Sequence, residues 1–325
     1  MKSNEKGQIM ERLTDQQRLK PWKGIIFFIA ILAIFYFLGP ILGGRFGLIG
    51  TAMYEFIFLA CSVLMCVICR VKIKEVFPIR KPTFKDVAGC VVLTFGTAAA
   101  ASIGSAITAL VFPQLINALA ERNTSIVSNS NPLLTIIIVS IVPAICEEAI
   151  HRGVIQSSMR GIRNDLVIAL IVGFLFSVNH LSISSFLGIF IMGTIISYVM
   201  AKKNNILLTA IIHFLNNFRS VIMLLITTHL NSDAVDTVTR SDFTTMPRIV
   251  LFGVLLLSGF SAPILVTLGL FLVCRNREKS YKKAFIITGI TSGAMYLTGL
   301  IIVAVYIMTT MASGYAQEIS SMMII

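Results

Sequence analysis

The chain predicts an all-α fold, a polytopic transmembrane bundle of about nine membrane-spanning helices, on three observations. Hydrophobic residues make up 56% of it and charged residues 13%, with a mean hydropathy of +0.87, well away from the composition of a soluble domain. Its apolar runs repeatedly reach the ~20 residues that a helix rising ~1.5 Å per residue needs to cross ~30 Å of hydrocarbon. Lys and Arg gather in the tail and in short connections between those runs, where membrane topology places them.

Windows of that length give candidate spans at about 25–43, 47–69, 87–112, 133–160, 165–182, 185–201, 205–228, 249–274 and 284–312. The first follows a basic tail, residues 1–24, in the outline of a signal peptide. It lacks a small-x-small cleavage site and more spans follow, so it reads as a retained anchor. No internal repeat and no stretch suited to a separate soluble domain is visible, so residues 25–312 form a single membrane domain and 313–325 a C-terminal tail. Cys61, Cys66, Cys69, Cys90, Cys146 and Cys274 all fall in apolar surroundings. The Cys66-x-x-Cys69 spacing therefore reads as small hydrophobes and not as a redox or metal pair.

A formal charge of +12 raises nucleic acid as a partner, but its distribution argues for none. Lys2, Lys6, Arg12, Arg18, Lys20 and Lys23 sit in the tail. Arg70, Lys72, Lys74, Arg80, Lys81 and Lys85 follow the second span. Arg160 and Arg163, Lys202 and Lys203, and Arg275, Arg277, Lys279, Lys282 and Lys283 fall on the same side if nine spans are counted. Loops 113–132 and 229–248 are poor in both residue types. The bias predicts a multi-pass plasma-membrane protein of bacterial type, with the N-terminus cytoplasmic and the C-terminus outside.

One segment departs from this economy of charge. "CEEAIHRG", residues 146–153, ends a long apolar run with two carboxylates, an imidazole and a guanidinium. Charge at bilayer depth is expensive unless paired or hydrated, so such residues are functional candidates by default. Glu148 and Arg152 are i, i+4, the spacing at which carboxylate and cation meet on one helix face, and they read as a structural ion pair. Glu147 is left without a local partner and becomes the candidate general base. Pro143 removes the helical bond to Val139 and predicts a kink just before the carboxylates. A cytoplasmic helix end with ordinary surface charges is the competing reading of the segment alone.

Two later spans weigh against it. Phe176 and His180 close "LVIALIVGFLFSVNH", and His213, Asn216 and Asn217 lie within "ILLTAIIHFLNNF". A lone His in an apolar helix is usually an interhelical hydrogen bonder, but two beside a Glu-Glu span share a depth that lets all three meet in the middle third of the membrane. Asn217, i+4 from His213, faces the same side and is placed to donate to an oxyanion. His151 points about 100° from Arg152 and reads as a packing or hydrogen-bonding residue. Arg219 is expected to pair with Glu55 of the second span or to snorkel.

In order, Glu147-Glu148-x-x-x-Arg152-Gly153, Phe176-x-x-x-His180 and His213-x-x-x-Asn217 resemble the CPBP family. These are the type II CAAX prenyl proteases and their bacteriocin-processing and immunity relatives, also called Abi proteins. The likeness covers a core at about 130–228 and extends generally to "EVFPIRKP" before the third span. It implies an intramembrane endopeptidase in which Glu147, aided by His180 and His213, activates water against the amide of a membrane-associated peptide or protein, with Asn217 at the oxyanion. Phe176 supports the motif. Names in this family often imply a metalloprotease. No His-Glu-x-x-His spacing is present to fix zinc, so no cofactor is required by the sequence; a divalent metal, if bound, would take Glu147, His180 and His213.

The rival functions are a non-catalytic scaffold or bacteriocin self-immunity protein that keeps the polar residues for packing, and a proton-coupled transporter. The transporter predicts repeat symmetry, which the chain lacks. Loss of Glu147 or a motif His would have marked a scaffold, and neither is lost; intact motifs show competence and not substrate, so the scaffold stays open.

Overall fold

The computed structural model describes residues 19–112, 131–229, 247–274 and 280–322. The basic residues Lys2, Lys6, Arg12, Arg18, Arg275, Arg277 and Lys279, and most of both Lys/Arg-poor loops, lie outside the described residues. Every regular element among those described is helical. They are α1 (Pro21–Cys69), α2 (Ile73–Val76), α3 (Phe84–Val111), α4 (Pro132–Ser158), α5 (Asp165–Asn179), α6 (Phe186–Lys203), α7 (Ile206–His229), α8 (Arg248–Gly259), α9 (Ala262–Cys274) and α10 (Ser280–Met322). By length and composition, seven stretches of described helix could cross a membrane.

The first two predicted spans are two helical rods of α1 joined at a sharp reversal. Gly47 takes φ 57°, ψ −131°, inside α1. A Cβ built on Gly50 would collide with the carbonyl of Leu42, and Phe35 packs on Tyr54 and Phe58 at ring separations of 5.6 and 6.3 Å. Two rods therefore fold back on each other, and only glycine tolerates both the dihedral and the close approach. The eighth and ninth rods by this count are reached with α5, which at 15 residues is too short to span on its own.

Its length is a departure from the predicted 165–182 span. The helix stops because Leu181 adopts a left-handed φ of 48°. The chain then turns through residues 182–185 into α6, so α5 and α6 form a tight hairpin. Small residues hold the hairpin closed: Gly173 abuts Thr194, and Gly193 abuts Phe176 and Gly173. At the other end, α10 runs on through Met322, beyond the predicted end of the last span.

Two apolar clusters flank the middle of the bundle. One joins Phe27, Phe28, Ile31 and Phe58 of α1 to Ile150, Val154 and Ile155 of α4 and to Val172 of α5. The other joins Leu93 of α3, Ile196 and Val199 of α6, Leu208 and Ile212 of α7, and Val273 of α9. Helix α10 packs on α8 through Gly253 and Gly299 and on α9 through Tyr281 and Phe285 against Phe271. The motif helices α4, α5, α6 and α7 thus meet where the clusters adjoin.

The charged connections gather at one end. Asp86 caps α3 with Thr83 and pairs with Lys203 at 2.9 Å, while Lys202 pairs with Asp165 at 2.8 Å. Asn205 exchanges hydrogen bonds with the backbone of Arg80, and Arg160 donates to the carbonyl of Glu75. The loop after the second span, the end of α4 and the end of α6 therefore share one face. All six cysteines are free thiols, in keeping with their reading as small hydrophobes.

Candidate active site

The carboxylates are carried by a helix that is not uniformly α. In α4, residues Ile137–Ile141 and Ala149–Ile155 are π-helical, flanking the α turn Val142–Glu148. The first π segment has a local cause. Pro143 has no N–H for Val139 and its ring crowds that carbonyl; widening the preceding turn, with Val142 N–H bonded to Ile137 O, relieves this. The predicted kink is thus taken up as a π bulge. The second π segment carries His151 and Arg152, and nothing in its sequence explains it.

Glu148 and Arg152 form the expected pair, with Nη1 to Oε1 at 2.8 Å and both side chains almost wholly buried. The guanidinium also donates from Nη2 to the Gly193 carbonyl at 3.0 Å and lies 4.6 Å above the Phe176 ring. Gly193 is needed there because a side chain would strike Phe176 and Gly173. The next motif residue, Gly153, leaves room for the ring of Phe77 from the "EVFPIRKP" connection. The connection named by the resemblance thus packs directly on the motif.

Helix α7 brings His213 to both carboxylates. Its Nδ1 lies 2.9 Å from Glu148 Oε1, and its Nε2 lies 3.8 Å from Glu147 Oε2. His180, at the end of α5, sets its Nδ1 2.9 Å from the Phe176 carbonyl and its Nε2 4.0 Å from Glu147 Oε2. A carboxylate and a carbonyl can only accept, so in both rings the Nδ1 carries the proton and donates. The Nε2 of each ring then faces Glu147. Phe176 sits at the centre, edge-on to His151, His180 and His213 at 4.9, 4.8 and 5.5 Å.

The remaining candidates fall around this centre. His151 is fully buried with Nδ1 against the Glu147 carbonyl at 2.9 Å, the packing role read from its direction on the helix. Asn216 turns away to Thr97 of α3, with Nδ2 to Oγ1 at 3.1 Å. Asn217 is half-buried one turn after His213, and its side chain enters none of the hydrogen bonds found among the described residues. Arg219 is exposed, and no ion pair to Glu55 is found among those residues. Of the two readings for Arg219, its exposure is in keeping with snorkelling; pairing is not found because Glu55 is buried on the face of α1 turned to α4, where it lies within electrostatic reach of Glu147. Sequence reasoning missed Glu55 as a member of the site; its signal was a lone carboxylate in an apolar run.

Among the described residues, no three His, Cys, Asp or Glu side chains are arranged to hold a metal ion. Tetrahedral zinc with ligands at about 2.0–2.1 Å would draw neighbouring ligand atoms to about 3.3–3.4 Å. The Glu147 oxygen stands wider than that from both imidazoles.

Fold and site together define a polytopic helical membrane protein with a buried carboxylate–imidazole centre. Residues 129–219, which hold every motif residue, match the family described as type II CAAX prenyl endopeptidase Rce1-like, and this segment carries the CPBP/CAAX resemblance read from its motifs. No curated protein and no solved structure matches the chain.

Proposed function

We propose that the protein is an intramembrane endopeptidase that hydrolyses a peptide bond of a membrane-associated peptide or protein by means of water activated by Glu147 and the two histidines. The observation that carries this reading is the convergence of Glu147 Oε2 on two imidazole Nε2 atoms at 4.0 and 3.8 Å. Those separations are too long for direct hydrogen bonds and suit a water about 2.8 Å from each partner.

Such a water donates one hydrogen to Glu147 and the other to an imidazole Nε2, leaving a lone pair for the scissile carbonyl. Glu147 takes the proton as the C–O bond forms and returns it to the leaving amide nitrogen as the C–N bond breaks. Glu148 holds His213 in the acceptor tautomer, and the Phe176 carbonyl does the same for His180. Asn217 is assigned to the oxyanion, since its side chain is one turn from His213 and unengaged. Aligned burial of these groups inside the bundle matches a substrate that is itself held in the membrane.

The test is a comparison of peptide termini in membranes carrying wild-type protein or Glu147→Gln, read by terminal-peptide mass spectrometry. Termini present with wild type and lost with the variant are expected. Identical terminal profiles from equally expressed proteins sink the reading and leave the scaffold.

A further inference from the structure

The segment from Arg70 to Lys85, which joins α1 to α3, has two unlike sides. Its inner side is fastened to the bundle: Val76 and Pro78 are buried, and Phe77 fills the space left by Gly153. The Ile206 N–H donates to the Pro78 carbonyl at 2.9 Å, and Ser157 Oγ lies 3.5 Å from the Val76 carbonyl.

Its outer side mixes apolar and basic groups. Phe84 and Ile79, 88% and 72% exposed, are the two most exposed large hydrophobic residues among those described. Interleaved with them, Lys74, Arg80, Lys81 and Lys85 are exposed, and their side chains enter no ion pair or hydrogen bond among the described residues. Of the two acids between positions 70 and 90, Asp86 is buried and held by Lys203 at 2.9 Å, so Glu75 alone stands against these four cations. Ile79 lies outside every run long enough to span, and Phe84 is the first residue of α3, so neither is covered by hydrocarbon at mid-depth. Trp22 marks the level of this end: it is exposed at the start of α1, where Gly24 abuts Ser158 of α4, and indoles favour the headgroup layer. A surface with phosphate above and acyl chain beneath meets both kinds of side chain at once.

We infer that this outer side is a docking surface for anionic phospholipid, with Ile79 and Phe84 below the headgroups and Lys74, Arg80, Lys81 and Lys85 on the phosphates. Charge complementarity selects the occupant, since each basic residue near an anionic leaflet is worth roughly a fivefold gain in association. A zwitterionic surface answers only the apolar half. The same segment holds Phe77 on Gly153, so lipid on its outer side steadies the wall of the motif. The inference does not depend on the proposed hydrolysis, and its readout is binding.

Lipid-specific quenching tests it. The full chain carrying Trp22→Phe, which removes its single indole, receives one new tryptophan by Ile79→Trp, by Phe84→Trp or, as a reference on the exposed side of α10, by Ile301→Trp. Each is placed in vesicles of phosphatidylcholine and phosphatidylglycerol in equal parts, with bromine on the acyl chains of one lipid or of the other. At positions 79 and 84 brominated phosphatidylglycerol should quench as a lipid bound roughly fivefold or more in preference, and at 301 the two should quench alike. Lys74→Gln, Arg80→Gln, Lys81→Gln and Lys85→Gln together should remove most of the preference. Molar salt should do the same to the unsubstituted cations, which keeps the test decisive even where the fourfold variant fails to fold. Equal quenching by the two lipids at 79 and 84, or a preference that survives molar salt, overturns the inference. Absence of quenching by either lipid at both positions also overturns it and leaves the surface to an acidic soluble partner.

Discussion

His213 donates its Nδ1 proton to Glu148 Oε1 across 2.9 Å, and so the carboxylate that pairs with Arg152 also orients the imidazole that faces Glu147. Glu148 is therefore scaffold for two partners, a guanidinium and an imidazole. The division between adjacent carboxylates has a structural basis: Glu148 is 1% exposed and its Oε1 takes both Arg152 and His213, whereas no hydrogen bond holds Glu147 Oε2, which faces two imidazole Nε2 atoms at 3.8 and 4.0 Å.

Glu148→Gln should unfold readily, because Arg152 at 0% exposure would lose its counter-charge; breaking a buried pair from one side costs about 3–5 kcal/mol. Glu147→Gln leaves no charge stranded and should melt near wild type while losing turnover. Thermal unfolding in detergent beside a cleavage assay separates them. Similar melting temperatures for the two variants would refute the division.

His213→Asn offers a finer test. An Asn amide can reproduce the Nδ1 donation to Glu148 but presents nothing in place of Nε2, so the variant should stay folded and lose about 10²–10⁴-fold in turnover, the range of general acid–base contributions. Retention of more than a tenth of wild-type activity would show that the ring serves only to hold Glu148.

Glu55 and Glu147 are two buried carboxylates in electrostatic reach of each other, and one Glu55 oxygen has no hydrogen-bond partner. Replacing this ionisable carboxyl by a neutral amide should therefore relieve the fold. Glu55→Gln is expected to raise stability by about 0.5–2 kcal/mol, in the manner of other substitutions that relax a strained site. A lower melting temperature would mean that Glu55 is held by a partner in the membrane.

Much of this architecture was legible in sequence, and the limits of that legibility are physical. The Glu148–Arg152 pair follows from helical spacing alone and survives the π segment that contains Arg152. The ordering of Glu147, His180 and His213 on neighbouring helices was carried by motif and depth. The His213–Glu148 bond joins residues 65 positions apart, and no local spacing encodes it. The end of α5 at His180 depends on a left-handed Leu181, a residue with no turn signature. Glu55 was matched to Arg219 by charge complementarity, but the reversal at Gly47 aims that rod at α4 instead.

Gly153 and Phe77 give a packing test of the link between the "EVFPIRKP" connection and the motif. A Cβ on Gly153 would overlap the Phe77 ring, so Gly153→Ala should destabilise by about 1–3 kcal/mol, the usual range for overpacking. Adding Phe77→Ala should restore part of that loss, giving the non-additivity expected of residues in contact. Additive effects would place the strain elsewhere in α4.

The last prediction concerns sidedness. Asp86 with Lys203, Lys202 with Asp165, and Arg160 with Glu75 bring the loop after the second span, the end of α4 and the end of α6 to one face of the bundle. Those connections are rich in Lys and Arg, so the charge bias predicts that this face is cytoplasmic. Two rods of α1 start from and return to this face at Arg70, which predicts a cytoplasmic N-terminus. With α5 and α6 leaving and re-entering the same face as a hairpin, nine rods predict a C-terminus on the opposite side. Single cysteines placed at Ser3, Ser128, Ser280 and Ser320 after replacement of the native six, and probed on intact cells with an impermeant thiol reagent, test this. Labelling at Ser128 and Ser320 but not at Ser3 or Ser280 is the expected pattern. Labelling at Ser3 reverses the whole bundle; labelling at Ser280 alone of the inner pair moves only the last helices and leaves the side from which substrate reaches Glu147 unchanged.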